Sequence, residues 1–176
     1  MTNSSGGQSI HDRDPVEVAA RRWGDRYPDS ERFRALTALV RTYGVALRSI
    51  EQILKPVGLN LSRFELLLVL SFTRAGSLPM MRLRDILMMH GSSVTYLVNR
   101  LVEAHLVERS DYPSDRRVSL VGITPLGRDA VEHAARLLIE NGFGIFGQLD
   151  DHRLDDLADW LSELRQETST PRQNAT

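Results

Sequence analysis

Residues 92–128 decide the fold, and their sequence is SSVTYLVNRLVEAHLVERSDYPSDRRVSLVGITPLGR. In the first half of this stretch, apolar residues recur at helical spacings of three and four, at Val94, Leu97, Val98 and Leu101. This spacing predicts a helix that packs one face against a core. The opposite face then carries Ser92, Thr95, Tyr96, Asn99, Arg100 and Glu103. The first two turns of that outward face therefore offer hydrogen-bonding groups and no acid.

A second short helix and a turn are predicted directly before this helix. The sequence MMRLRDILMMH at residues 80–90 has helical apolar spacing and ends at Gly91, so Ser92 or Ser93 is the expected N-cap of the next helix. Two such helices form a helix-turn-helix, whose second helix lays its first turns in the DNA major groove. Ser, Thr, Asn and Arg can pair with base edges or phosphate oxygens. The candidate DNA-binding residues here are Ser92, Ser93, Thr95, Tyr96, Asn99 and Arg100. The alternative is an ordinary solvated helix face.

A β-hairpin is predicted after the second helix. The strands are expected at 106–110 and 118–123, and the loop between them contains Pro113, Ser114 and Asp115. Arg116 and Arg117 fall near its tip. A helix-turn-helix followed by a hairpin is a winged helix, and its tip arginines are placed to enter a minor groove of negative potential. Alternatively, these charges only keep the hairpin soluble, with Asp115 paired to one arginine.

Further helices are predicted on both sides of the winged helix. A short helix with Pro15 in its first turn comes first, and a buried helix with Ser62 and Glu65 at capping-box spacing precedes the helix-turn-helix. A helix over 126–138, capped by Thr124 and Pro125, follows the wing. Two long helices carry apolar stripes, at Phe33, Leu36, Val40, Tyr43, Leu47, Ile50 and Leu54, and at Leu154, Leu157, Leu161 and Leu164 beside Trp160. The winged helix alone cannot bury either stripe.

Residues 61–127 resemble the MarR family of bacterial winged-helix transcriptional regulators. The matching residues are Thr95, Leu97, Val98, Arg100, Leu101, Leu106, Val107 and Arg109, followed by DRRVSLVGITPLG. The resemblance implies that Asp115 supports the wing, that Arg117 enters the minor groove, and that Arg116 contacts phosphate. The sequence departs from the family pattern at His105, where many relatives have Gly, and at Tyr96, where Arg is common. We therefore expect a different local turn and a different base readout.

The resemblance also implies a homodimer, because the family dimerises through its N- and C-terminal helices. The expected fold class is mainly α with a small two-stranded β-wing. The expected division of the chain is a polar leader with a short helix (1–29), an N-terminal dimerisation helix (30–60), the winged helix-turn-helix (61–124), C-terminal dimerisation helices (125–167) and a disordered tail (168–176).

The resemblance further implies a ligand-responsive repressor that binds a pseudo-palindromic operator and is released by a small aromatic or acyl anion. Arg34, Arg41 and Arg48 repeat every seven residues and would suit such an anion, although a solvated face is the favoured explanation. Other residues could line a pocket but at helical spacing are typical of plain core: Trp23, Tyr43, Phe72, Met81, Met88 and Met89. The alternative function is a winged-helix module that binds protein instead of DNA.

Composition excludes several other classes of protein. The 176 residues, 41% of them hydrophobic and 26% charged, fit a globular domain. The absence of cysteine excludes disulfides, thiol nucleophiles and thiol-based redox sensing. The five histidines have no i, i+4 pair, and common catalytic motifs are absent, so neither a metal site, a cofactor nor an enzyme is predicted. No apolar run could span a membrane and no signal segment is present, so we expect a cytoplasmic protein.

Charge is distributed unevenly along the chain despite a net charge of −1. Residues 62–128 contain nine Arg against six acids, whereas residues 150–167 contain seven acids against two Arg. Lys55 is the only lysine among 22 basic residues. Guanidinium groups form bidentate hydrogen bonds with phosphate and guanine, but a GC-rich coding sequence also favours arginine.

Overall fold

The computed structural model of the chain describes residues 14–112 and 115–167. Within these ranges the fold is mainly helical with a small three-stranded antiparallel sheet, which confirms the predicted fold class. The chain divides into two compact units, of which the first ends at Arg48 and the second begins at Ser49. The predicted leader up to residue 13, the loop residues Pro113 and Ser114, and the predicted tail over 168–176 lie outside the described residues.

The first unit contains helix α1 (Pro15–Gly24) and most of helix α2 (Ser30–Leu54). Helix α1 begins with the predicted proline, and the carboxylate of Asp14 caps it by accepting a main-chain N–H at 2.8 Å. The indole of Trp23 stacks on the ring of Phe33 with 4.3 Å between centroids. This aromatic contact holds the end of α1 against the beginning of α2.

The second unit contains the last turn of α2 and all later elements. In chain order these are a 3₁₀ helix (Lys55–Val57), α3 (Leu61–Ser71), β1 (Ser77–Pro79), α4 (Met80–Ile86), α5 (Gly91–Glu103), β2 (Val107–Tyr112), β3 (Asp115–Ile123), α6 (Pro125–Glu140), a second 3₁₀ helix (Gly144–Gln148) and α7 (Asp151–Glu167).

The sheet has the strand order β1, β3, β2. Strands β2 and β3 form the predicted hairpin, with Val107 opposite Ile123. Both strands extend further toward the tip than predicted. The third strand, β1, was not predicted, and it pairs with β3 so that Ser77 lies opposite Gly122. The central strand of the wing is therefore paired on both sides near its base.

One apolar core holds the second unit together. Its most deeply buried side chains come from α2 to α5 and from β3: Leu54, Leu66, Leu67, Leu70, Leu83, Val94, Val98, Leu101 and Val121. The predicted inward face of α5 is confirmed, since all four of its apolar residues are buried. Full burial of one such side chain stabilises a fold by about 1.5–3 kcal/mol. The core therefore fixes the rotation of α5 and, with it, the set of residues that faces outward.

Two predicted helix caps are wrong. Helix α3 is capped by Asn60, whose side-chain oxygen accepts the N–H of Arg63 at 3.0 Å, so Ser62 and Glu65 lie inside the helix. Asn60 has the extended backbone that an N-cap requires and the side chain that best suits the position. Helix α5 begins at Gly91 after His90, which places the two candidate cap serines in its first turn.

Several residues expected in the core are instead exposed. Tyr43, Phe72, Met81 and Met88 have exposed side chains, with exposed fractions of 79% for Phe72 and 80% for Met88. Met89 does pack against the core, as predicted. Phe72 follows the last residue of α3, and Met88 has a left-handed φ of 52° in the turn between α4 and α5. Both therefore lie where helical periodicity no longer predicts burial.

Candidate nucleic-acid interface

Helix α5 presents the predicted polar face to solvent. Ser92, Thr95, Tyr96, Asn99 and Arg100 are exposed, and Ser93 is half-buried. The core residues on the other side of the helix enforce this orientation. The arrangement places hydroxyl, carboxamide, phenol and guanidinium groups on one continuous surface.

Arg100 is held by two neighbours on the same helix. Its Nη1 donates a hydrogen bond to Glu103 Oε2 at 2.7 Å, and its Cζ lies 6.0 Å from the centroid of the Tyr96 ring. The hydrogen bond to Glu103 raises the pKa of the already basic Arg100 guanidinium. The pair orients the guanidinium but also offsets part of its charge, an effect that sequence spacing did not predict.

The hydroxyl of Thr95 is partly engaged within the helix. Its Oγ1 donates to the carbonyl of Gly91 at 2.9 Å. The oxygen keeps its lone pairs, so it is available as an acceptor. On a major-groove edge it would therefore suit the amino group of adenine or cytosine.

The beginning of α5 favours negative charge. His90 is the N-cap residue of α5, and its side chain makes no capping hydrogen bond. The first turn of α5 contains no acid. Main-chain N–H groups at a helix N-terminus and the helix dipole together attract anions such as phosphate. Ser92 and Ser93 lie in this first turn instead of at the cap.

A tight junction connects the end of α5 to the base of the wing and to α6. His105 has a left-handed φ of 58°, the backbone conformation that glycine adopts most readily. The carbonyl of Leu106 accepts the N–H of Thr124 at 3.1 Å, while Thr124 Oγ1 accepts the N–H of Gly127 at 3.0 Å as the predicted cap. A Cβ on Gly127 would lie only 2.1 Å from the Leu106 oxygen. The sequence indicated the Thr124 cap but not this contact.

The wing residues are placed at the level of the backbone. Asp115, Arg116 and Arg117 belong to β3, and Asp115 pairs with Tyr112 at the end of the hairpin. Their side chains lie outside the described residues, so the wing-support and groove-binding roles stay predictions.

An open cavity of about 320 Å³ lies at the beginning of α5. We call it the α5 cup, and it is lined by Met89, Ser92, Ser93, Tyr96 and Leu97. The sequence allowed Met89 to line a pocket but favoured a place in the core. One sequence signal could have revealed the cup. Residues 92 and 96, and residues 93 and 97, are i, i+4 neighbours on the helix surface, and they come shortly after Met89.

A larger cavity of about 680 Å³ lies between the end of α2, the end of α6 and the second 3₁₀ helix. Its lining includes Ser49, Gln52, Asn141 and Gln148 together with Ile53 and Leu137. All of its described lining residues are uncharged. The predicted arginine stripe of α2 does not line it, and Arg34 instead donates to Glu17 at 2.7 Å.

Two further classes of site are absent from the part of the chain that the structure describes. Residues 14–112 and 115–167 contain no cluster of three or more acids and histidines that could hold a metal ion. None of the described helices is long and apolar enough to cross a membrane.

Comparison with known proteins places this geometry in a family. A sequence model of the MarR family matches residues 57–118. The chain is 30% identical over 108 residues to the uncharacterized HTH-type transcriptional regulator YhbI of Bacillus subtilis, a match that spans 61% of this chain and 69% of YhbI. It is also 35% identical to Sco5413, a MarR family transcriptional regulator from Streptomyces coelicolor, with a TM-score of 0.70 over 77% of this chain and 93% of Sco5413.

The chain belongs to the MarR family. The resemblance predicted from the helix and wing motifs is thereby confirmed, and this MarR-family chain is a transcriptional regulator with a winged-helix fold. A further similar structure is CouR from Rhodococcus jostii RHA1, bound to p-coumaroyl-CoA. It is 29% identical, with a TM-score of 0.61 over 72% of this chain and 88% of CouR.

Proposed function

We propose that this MarR-family regulator binds a pseudo-palindromic operator as a homodimer and represses transcription until a small effector releases it. The observation that carries the proposal is the outward face of α5, which is exposed, rich in hydrogen-bonding groups and free of acid up to Glu103. An acid in those turns would face phosphate and weaken binding. Residues 61–124 would form the DNA-binding domain.

Within this proposal the residues of α5 divide into two roles. Ser92 and Ser93, with the N–H groups of the first turn, would contact phosphate. Thr95, Tyr96 and Asn99 would contact base edges, because an Asn carboxamide pairs with adenine through two hydrogen bonds. Arg100 would bind phosphate or guanine from the position that Tyr96 and Glu103 give it.

The wing would supply a second contact in the minor groove. Arg117 is proposed to enter the groove, Arg116 to contact phosphate, and Asp115 to support the hairpin. The support is that all three residues belong to β3, the strand that forms the hairpin with β2.

Homodimer formation would bury the apolar stripes that the chain leaves exposed. On α2, Leu36, Val40 and Tyr43 are all exposed, and Val40 has an exposed fraction of 60%. On α7, Trp160 and Leu164 are exposed, with an exposed fraction of 68% for Trp160. Continuous apolar helix faces of this kind mark protein interfaces, and a second copy matches the twofold symmetry of an operator. Regions 30–60 and 125–167 are therefore the proposed dimerisation helices.

The effector is proposed to be a small aromatic or acyl anion. CouR was solved with an acyl-CoA thioester, which supports this class of ligand. In this chain the 680 Å³ cavity offers carboxamides and apolar side chains for the acyl or aromatic part, while its uncharged lining would leave the anionic end outside. An effector that binds more tightly to a dimer with wrongly spaced recognition helices would shift the population away from the DNA-binding state.

The test is fluorescence anisotropy of the purified protein on its own upstream DNA and on a shuffled duplex, at two salt concentrations. We expect a preference of roughly a thousandfold for the native duplex and a steep loss of affinity as salt rises. Arg117→Ala should weaken binding and reduce the salt dependence. Glu132→Gln, on the exposed surface of α6, is the matched control and should leave both unchanged.

A protein-binding role is the second candidate, and the exposure of Phe72 and Met88 favours it. A protein-binding winged helix would show equal, weak and salt-sensitive binding to both duplexes. Arg117→Ala would then have no specific effect, and the proposal of operator binding would be wrong.

A further inference from the structure

The α5 cup lies within the surface that is proposed to meet DNA. Ser92 and Tyr96 form one i, i+4 row on the exposed face of α5, and Ser93 and Leu97 form the adjacent row toward the core. Met89, in the turn before the helix, is a further lining residue. The cup is therefore a concave site at the first two turns of the recognition helix, where base contacts are made.

The walls of the cup are mainly apolar. A thioether, a phenol ring and a leucine side chain surround the space, and the two serine hydroxyls lie at the same helix start. Polar atoms dominate the major-groove edges of the bases, and the C5-methyl of thymine is the apolar group among them. A pocket of this character on a recognition helix matches that methyl group and offers less to the amino and carbonyl groups beside it.

Charge favours a nucleic acid over an apolar peptide as the occupant. The first turn of α5 has no acid and has the positive end of the helix dipole. Arg100 lies over the ring of Tyr96, one wall of the cup, and Glu103 is already paired with that arginine. A phosphate-bearing partner is attracted to the start of α5 beside the cup, and Arg100 adds a guanidinium whose charge Glu103 partly offsets.

We propose that the α5 cup receives the C5-methyl group of one thymine in each operator half-site. Met89 and Tyr96 are then specificity-determining residues, which select thymine at that position through apolar contact. The inference rests on the proposed operator binding and adds one defined base preference to it.

Uracil in place of thymine removes only the methyl group and so tests the contact directly. An operator duplex would first be selected from random DNA with the purified full chain, and each thymine would then be replaced singly by deoxyuridine. We expect about a three- to fivefold loss of affinity at one thymine of each half-site, the effect of one buried methyl. Replacement of the other thymines in the half-site should have little effect.

Two variants link the effect to the cup. Met89→Ala should abolish the difference between thymine and uracil at that position, because it removes an apolar side chain that lines the cup. Met88→Ala is the matched control, since Met88 is the adjacent residue, has an exposed fraction of 80% and does not line the cup. It should retain the full difference.

The outcomes distinguish thymine recognition by the α5 cup from the operator binding on which it rests. A uracil penalty at one thymine per half-site that Met89→Ala abolishes and Met88→Ala retains supports the cup assignment. Specific operator binding with no uracil penalty, or with a penalty that persists in Met89→Ala, overturns the assignment but leaves operator binding intact. Failure to select any preferred duplex overturns both. The uracil scan needs no variant, so the test stands even if Met89→Ala does not fold.

Discussion

His105 holds a backbone conformation that its side chain disfavours. Its φ of 58° lies in the left-handed region, where a residue with a Cβ loses roughly 1–2 kcal/mol relative to glycine. We expect His105→Gly to raise the free energy of unfolding by about 0.5–1 kcal/mol, because relief of strain outweighs the added freedom of the unfolded chain. Urea denaturation measures the change. Ala104→Gly, at the adjacent right-handed position, should instead lower stability.

Glu103 limits the positive charge that α5 can present. It accepts a hydrogen bond from Arg100 at 2.7 Å and is the first acid of the helix. Glu103→Gln should strengthen DNA binding several-fold and steepen its salt dependence, since one repulsive charge is lost and one guanidinium is released. Anisotropy at several salt concentrations measures both. Weaker binding would instead show that the pair is needed to orient Arg100.

At this scale the sequence predicted which side chains face outward but not what they contact. Four apolar residues of α5 determine its buried side, so the exposure of Asn99 and Arg100 followed from spacing alone. The Arg100 contacts with Tyr96 and Glu103 depend on rotamers, which periodicity does not specify. The N-cap of α5 was predicted wrongly for a similar reason. Residue type allowed either Ser92 or Ser93 as the N-cap, whereas the helix begins at Gly91.

At the scale of elements, α6 is placed against the wing by a glycine. A Cβ at position 127 would lie 2.1 Å from the Leu106 oxygen and 2.8 Å from Ile123 Cγ1. Gly127→Ala should therefore destabilise the domain by more than about 2 kcal/mol, because backbone must move to relieve the contact.

Thermal unfolding followed by circular dichroism measures the effect of Gly127→Ala. Gly91→Ala is the matched control, because its Cβ would meet only the flexible Arg84 side chain at 3.9 Å. The control should be neutral or slightly stabilising. Equal stability of the two variants would contradict the prediction that the Leu106 carbonyl leaves no room for a Cβ at position 127.

Sequence periodicity predicted the long elements well and the short ones poorly. Helices α2, α5 and α7 carry apolar stripes over many turns, and their predicted positions agree closely with the structure. Strand β1 has only three residues, too few for an alternating pattern to appear. It forms because β3 offers a free edge, which is a long-range condition that local sequence does not contain.

At the scale of the whole molecule, we predict that dimer formation depends on the exposed face of α2. Val40→Glu should convert the dimer to monomer, because it places a charge at the centre of an apolar stripe while leaving the folded chain undisturbed. Sedimentation velocity measures the mass. Operator affinity should fall by about a hundredfold or more, since each monomer then binds one half-site alone.

Thr42→Glu is the matched control for Val40→Glu. It adds the same charge on the same helix about 200° around the axis from Val40. It should leave the protein dimeric. If Val40→Glu is also dimeric, the face that carries Leu36, Val40 and Tyr43 is not the interface.

The order of elements was predictable at this scale, and the family followed from it. A helix-turn-helix, a hairpin and two flanking apolar stripes together are more specific than any single motif, and the family matches agree with that order. We propose that the surface that covers the stripes belongs to another molecule. One chain can therefore indicate the need for a partner without specifying its geometry.

The junction at Leu106 has a consequence for hydrogen exchange. The Thr124 amide donates to the Leu106 carbonyl at 3.1 Å, beside the closely packed Gly127. This amide proton should exchange with solvent deuterium only when the entire domain unfolds. Operator DNA binds the folded domain, so it should slow this exchange by the factor by which it stabilises the domain, and NMR with and without operator DNA measures that factor. A rate at Thr124 that stays constant when operator DNA binds would show that this amide exchanges by local opening of the junction and not by unfolding of the domain.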